Sequence, residues 1–248
     1  MHDDELFTTA SIGVAVGYDG VDADTLLAEA DTALYTAKRQ GRDRYAVFTS
    51  ELRDQVTERL RIENGLRLAL DRGELTLWYQ PEVDLDDGSV TSVEALLRWR
   101  HPDGVVDPAA RFLDVAEDSG LIVDIGAWVV REGMAQAARW ASRRPGGLEV
   151  RINLSARQLS EPDLLDQIDD ALVDTGALPS SVCFEITETA IMRDLPTVWE
   201  NVRGISERGF TLAIDDFGTG YASLTYLHEL PISVVKLDRS FVADITSD

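Results

Sequence analysis

The chain has 248 residues, 44% of them hydrophobic, and a formal net charge of −22. That length suits one large domain or two small ones. The acidity argues against polymeric nucleic acid as the main partner, because no basic stripe is present to release its counterions; an anionic ligand fits only where metal ions neutralise it locally. A single cysteine, Cys183, lies in an apolar run and reads as a buried, inert thiol. The three histidines, His2, His101 and His228, lack zinc-ligand spacing. No stretch is long and apolar enough to span a bilayer. The acidic N-terminus has no signal-peptide pattern, so the expected location is the cytoplasm.

In chain order, residues 8–18 read as a strand. Leu26, Leu27, Ala30, Leu34 and Ala37 recur at helical spacing over residues 23–40, with Asp22 or Asp24 placed as the cap. A short strand follows at Tyr45-Ala-Val-Phe48. About forty residues of this kind cannot bury a stable core unaided. Residues 51–70 read as a polar helix with Leu52, Val56, Leu60, Leu66 and Leu70 near one face. It either pairs with a second copy as a coiled coil or lies along its own domain. Strands are expected at 75–85 and 90–99, and the tight Asp86-Asp-Gly-Ser89 turn between them predicts an antiparallel pair. Helices are expected at 109–121 and 122–142, the second with Ile125, Trp128, Val129, Met134, Ala137 and Trp140 as core packing. Three strand–helix units come next: 148–154 with 161–174, 182–187 with 195–208, and 210–215 with 221–229. A last strand covers 233–238. This alternation predicts a parallel α/β barrel with its site at the C-terminal ends of the strands.

Single polar groups stand near those ends: Glu94, Asn153, Glu185, the adjacent Asp215 and Asp216, and Lys236. Carboxylates and an amide oxygen, without His or Cys, form a hard site suited to Mg²⁺ or Mn²⁺. Two such ions stabilise the attacking and leaving oxygens of an in-line displacement at phosphorus. Without a cation the like charges repel, so the cluster makes a poor plain core. For Asp215 and Asp216 to serve one site, the chain must leave the strand between them, and Gly218-Thr-Gly220 supplies the freedom. Lysine is scarce, with only Lys38 and Lys236; one kept inside a buried strand suggests that a compact ammonium is wanted there. Glu94, Leu96 and Arg98 share strand parity and line one face over roughly 13 Å, a length suited to a two-nucleotide ligand. Arg98 either pairs with a phosphate or makes a structural ion pair. Arg151 has the parity of Asn153, so it points into the barrel below the site and needs a carboxylate. Glu185 is one candidate, in competition with metal binding.

The N-terminal β-α-β piece resembles the C-terminal end of a GGDEF (diguanylate cyclase) domain, through Ser11-Ile-Gly-Val, Ala30-Asp-Thr-Ala-Leu-Tyr-Thr-Ala-Lys38 and Gly41-Arg-Asp-Arg44. The resemblance puts Lys38 and Arg42 near a triphosphate. The signature turn of that family lies upstream of Met1, so this piece alone is not expected to act as a cyclase. From about Glu58 to Asp248 the chain resembles an EAL domain, a cyclic di-GMP phosphodiesterase. The motifs are Tyr79-Gln-Pro, Glu94-Ala-Leu-Leu-Arg-Trp-Arg-His-Pro102, Ile152-Asn-Leu-Ser-Ala-Arg-Gln158, Phe184-Glu-Ile-Thr-Glu188, Asp215-Asp-Phe-Gly-Thr-Gly-Tyr221 and Lys236-Leu-Asp238.

That resemblance implies ligation of one metal by Glu94, Asn153, Glu185 and Asp215, and of a second by Asp215 and Asp216. It implies a water held or activated by Lys236, and dinucleotide contacts from Gln80, Leu96 and Arg98. Glu188 would brace the loop 215–221; with Lys236 and Asp216 it completes the expected catalytic set. The implied reaction is hydrolysis of cyclic di-GMP to linear pGpG, with a non-catalytic cyclic di-GMP receptor as the alternative and a homodimer as a possible assembly. The family continues past its Lys-x-Asp strand to a further glutamate that has no counterpart here. The expected architecture is therefore an incomplete TIM-like (β/α) barrel with an antiparallel first strand and an open edge beside strand 233–238. The expected division is a GGDEF remnant at 1–50, a helical linker at 51–57 and an EAL domain at 58–248, forming a fragment inactive by itself.

Overall fold

In the computed structural model, residues 8–17, 20–143, 147–191, 196–218, 230–241 and 243 are described. The chain divides into two compact units, Met1–Gly65 and Leu66–Asp248. In the first, β1 (Ile12–Val14) pairs in parallel with β2 (Tyr45–Val47), and α1 (Ala23–Arg39) connects them. Asp22 is the cap: its carboxylate accepts from the backbone N–H of Thr25 at 2.9 Å, satisfying a donor that the first turn leaves without a helical partner. Gly13 lets strand and helix touch, since a Cβ there would lie 2.0 Å from the Ala30 carbonyl oxygen. The first strand is shorter than the expected 8–18 because its partner offers only three residues for pairing. The polar helix α2 spans Ser50–Ala69, and the division between the units falls within it.

The second unit is built on one sheet. Its strands are β3 (Leu75–Val83), β4 (Val90–Arg100), β6 (Glu149–Leu154), β7 (Val182–Thr187), β8 (Thr211–Phe217) and β9 (Val234–Leu237), in the spatial order β3-β4-β6-β7-β8-β9. The short β5 (Val106–Pro108) also pairs with β4. β3 and β4 are antiparallel, as the tight turn predicts, and every step from β4 to β9 is parallel. Among the described residues β3 and β9 are the two edges, and the barrel is not closed.

Helices cover the sheet's outer face. The region expected as one helix over 109–121 is a 3-10 turn at Ala109–Arg111 followed by α3 (Leu113–Ser119), which ends at Gly120 with φ 85°. A left-handed residue there stops the helix and lets α4 (Ile122–Ala141) start in a new direction. α4 packs on β6 and on α6 (Leu164–Thr175). Gly133 permits the first of these contacts, because a Cβ would meet Ile152 Cδ1 at 2.6 Å. Between β6 and α6 lies α5 (Ala156–Leu159), closed by a capping box between Ser155 and Gln158. After β7 come α7 (Glu188–Ile191) and α8 (Pro196–Glu207). Buried Asn201 of α8 donates to the carbonyls of Leu159 and Glu161, each at 2.9 Å, and so ties α8 to the end of α5. The core is Met134, Ile152, Ile168, Phe184, Ile186, Ile205 and Leu212, all fully buried, each contributing roughly 1.5–3 kcal/mol of burial. The helix expected at 221–229 lies outside the described residues.

Candidate metal centre at the strand ends

Register places the polar groups on one face of the sheet. Gln80 stands opposite Glu94 across the hairpin. Asn153 stands beside Glu185, and Glu185 beside Ala213. Ala213 stands beside Val234. Asp215 and Lys236 follow Ala213 and Val234 by two residues, and a strand's period of two keeps them on that same inner face.

Three carboxylates converge there. Glu94, Glu185 and Asp215 each offer an oxygen, and the three atoms lie within 4.8 Å of one another. The ammonium of Lys236 sits among them, donating to Glu185 Oε2 at 2.7 Å and to Glu94 Oε2 at 3.1 Å, with Asp215 Oδ1 at 3.8 Å. Asn153 donates through Nδ2 to Glu94 Oε1 at 2.9 Å, which leaves its carbonyl oxygen available as a hard ligand. Glu185 is fully buried, and its Oε1 has no hydrogen-bond partner. A buried carboxylate oxygen without a donor is costly, and a cation is the partner this donor set suits. All the donors are oxygens, as Mg²⁺ or Mn²⁺ prefers.

The field of the cluster shows in its acid–base behaviour. Burial pushes the Glu185 carboxyl up to about 7, against the opposing pull of Lys236 and with help from the charges of Glu94 and Asp215. For Lys236, burial disfavours the charge, but the bond to Glu185 and the negative charges of Glu185, Glu94 and Asp215 outweigh it and raise its pKa. Asp216 is raised first by partial withdrawal from water and then by Asp215 and Asp238. Cys183 is fully buried in β7 and its thiol is pushed up to about 12, chiefly by burial, in keeping with an inert side chain.

The turn after Asp215 departs in detail from the sequence expectation. Asp216 itself takes the left-handed conformation, with φ 53°, and Gly218 follows at φ 97°. The ladder is therefore already irregular at the second aspartate, before the glycines, although β8 continues to Phe217, which pairs with Leu237. An aspartate tolerates this region better than most residues. Glu188, 3% exposed, accepts from the Gly218 N–H at 3.0 Å. Thr219, Gly220 and Tyr221 lie outside the described residues.

Leu96 and Arg98 continue the inner face of β4, with Trp78 opposite Leu96. The Arg98 guanidinium lies over the Trp78 ring, 5.3 Å from its centroid, and its Nη1 donates to the Leu97 carbonyl at 2.8 Å. Among the described residues Arg98 has no ion pair, so the structural-pair alternative finds no partner there. Tyr79 faces the other way and packs edge-on against Trp140 at 4.9 Å.

Arg151 finds the partner that the sequence left open. Its Nε is 2.9 Å from Glu82 Oε2 and 3.3 Å from Glu149 Oε1, while its Nη1 is 3.8 Å from Glu185 Oε1. Glu82 also accepts from Ser92 Oγ at 2.6 Å. Sequence reasoning passed over Glu82, Glu149, Ser92 and Trp78. Parity within the hairpin was the available signal, since Glu82 falls opposite Ser92 and on the face of Gln80.

A mixed α/β sheet gathers acids and one lysine at the ends of its parallel strands, the end at which barrel-type folds carry their sites. The chain belongs to the EAL domain family, whose pattern it matches over residues 63–248; residues 1–44 match the diguanylate cyclase GGDEF domain. It is 41% identical over 98% of its length to the bifunctional diguanylate cyclase/cyclic di-GMP phosphodiesterase MucR of Pseudomonas aeruginosa, covering 36% of that protein. It is 37% identical over 97% of its length to the cyclic di-GMP phosphodiesterase PdeR of Escherichia coli, again covering 36%. The chain thus spans about a third of the length of these relatives. A solved structure of the PaMucR phosphodiesterase in complex with c-di-GMP superposes with a TM-score of 0.71 at 40% identity, over 76% of either chain. The FimX EAL domain from Pseudomonas aeruginosa bound to c-di-GMP gives 0.66 at 28% identity, over 75% of this chain and 74% of that one.

Proposed function

We propose that this chain carries the phosphodiesterase site of a cyclic di-GMP signalling protein, hydrolysing cyclic di-GMP to linear pGpG with Mg²⁺ or Mn²⁺. The observation that carries the reading is the convergence of Glu94, Glu185 and Asp215 around Lys236, on a face continued by Leu96 and Arg98.

Glu94, Asn153, Glu185 and Asp215 hold one ion in this reading, and Asp215 with Asp216 a second. When bound, the ions offset the charge of the phosphodiester and stabilise the attacking and leaving oxygens. Arg98 pairs with a phosphate, presenting a planar donor fork. Leu96 supplies an apolar surface and Gln80 an amide for the nucleotide. Lys236 stays charged beside its acids, so it holds the water and offsets charge rather than taking its proton. Water attacks phosphorus and loses its proton to solvent, the P–O3′ bond breaks and so opens the ring, and the leaving 3′-oxygen takes up a proton to become the 3′-hydroxyl of 5′-pGpG. Glu188 braces the turn that presents Asp215 and Asp216. Little or no turnover by this chain alone belongs to the proposal. The domain division at 1–50, 51–57 and 58–248 belongs to it as well.

The test is chromatography of cyclic di-GMP incubated with the chain and Mn²⁺, with and without chelator, beside the full-length protein. Metal-dependent appearance of pGpG from the full-length protein supports the proposal, and its absence refutes it. A receptor that binds without cleaving is the second reading, favoured by the hold of Lys236 on Glu94 and Glu185. It predicts cyclic di-GMP binding that is indifferent to chelator.

A further inference from the structure

The floor beneath the candidate metal centre carries a cation of its own, Arg151. Arg151 is largely buried, and three acids surround its guanidinium: Glu82, Glu149 and Glu185. The distances rank them. Glu82 is closest at 2.9 Å and Glu149 next at 3.3 Å, both as charge contacts of an Arg151 Nε that makes no hydrogen bond, while Glu185 stands off at 3.8 Å with its Oε1 likewise unsatisfied. An arginine turned fully toward Glu185 would neutralise it with paired hydrogen bonds and compete with a cation for the same carboxylate. Glu82 is itself anchored: it shares the antiparallel pair with Ser92, whose hydroxyl donates to Oε2 at 2.6 Å. Its other oxygen lies 3.8 Å from Lys236 Nζ.

We propose that Glu82 is a positioning residue of the metal centre: it captures Arg151 on the floor of the sheet and so keeps Glu185 available to a divalent cation. The inference rests on the reading of Glu94, Glu185 and Asp215 as metal ligands. It makes Glu82 and Arg151 a unit, in which losing the acid releases the arginine onto Glu185. Orienting groups behind a ligand commonly change metal affinity by about 10–100-fold.

Calorimetric titration with Mn²⁺ tests it on the wild-type chain, E82Q, R151M and the double variant, with circular dichroism to establish folding. E82Q is expected to weaken Mn²⁺ binding by about tenfold. R151M is expected to restore affinity in the E82Q background while changing it much less in the wild-type background. This coupling is the decisive quantity. A field effect of the two charges alone gives R151M the same factor in both backgrounds, and so does a structural role unrelated to the arginine. Equal factors therefore overturn the inference while leaving the metal centre intact. A wild-type chain that binds no Mn²⁺ refutes the metal centre and the inference with it. If E82Q does not fold, Ser92→Ala loosens Glu82 more gently; weakened binding that R151M reverses supports the inference, and unchanged binding overturns it.

Discussion

Glu185 carries the most informative charge in the molecule. Its carboxyl titrates at about 7 in the fold against an ordinary value of 4.5, chiefly through burial. The folded protein therefore holds this proton more tightly than the unfolded chain, and its contribution to stability falls as pH rises from about 4.5 to about 7. Melting of the chelated protein across that window is expected to show the decline, and saturating Mn²⁺ to remove it by stabilising the ionised carboxylate. Cation affinity is expected to rise over the same window and level off above it. Lys236→Met tests the other half of the pair: hydrolysis by the full-length protein should drop by about 10²–10³-fold if the ammonium holds the water and offsets charge at the reacting phosphate, while Mn²⁺ binding persists in calorimetry. Loss of both together would make Lys236 structural.

Elements decide how these residues meet. The β8 turn combines a left-handed Asp216 with a left-handed Gly218, and a Cβ on Gly218 would lie 2.5 Å from the Phe241 ring. Gly218→Ala is expected to destabilise the protein by at least about 1–2 kcal/mol from the backbone alone, readable as a lower denaturant midpoint. Glu188→Gln keeps an acceptor for the Gly218 N–H, whereas Glu188→Ala removes it. Turnover should therefore suffer far more from alanine than from glutamine; equal losses would argue against a bracing role. The strand–helix alternation of β6 to β8 was legible because each strand is a short β-branched run with a turn signal on either side. The turn geometry was not. The irregularity begins at Asp216, two residues before Gly218, whose N–H is held by Glu188 from outside the turn.

At the scale of the second unit, one sheet with helices on its outer face buries a continuous core, and its ends are the feature that matters. β9 is an edge among the described residues, and it exposes Val235 at 48% and Leu237 at 60%. Exposed apolar edge strands pair with other chains. Sedimentation of the chain is expected to show association that grows with concentration, and Val235→Lys to suppress it. No concentration dependence in either protein would show the edge to be protected.

The amino-acid sequence by itself determined the succession of elements, the antiparallel first pair and the identity of the inward-facing groups. Hydrophobic periodicity and strand parity are local properties, readable wherever a strand has one polar residue among β-branched neighbours. Only the tertiary structure decided the register between strands. Register brings Glu94, Glu185 and Asp215 within 4.8 Å of one another, although they are far apart in the chain. It also decided the partner of Arg151. The sequence offered Glu185 as a candidate and passed over Glu82 and Glu149; the order 2.9, 3.3 and 3.8 Å for Glu82, Glu149 and Glu185 follows from the packing of three separate strands. Distances between strands depend on contacts remote in sequence, and no local pattern encodes them.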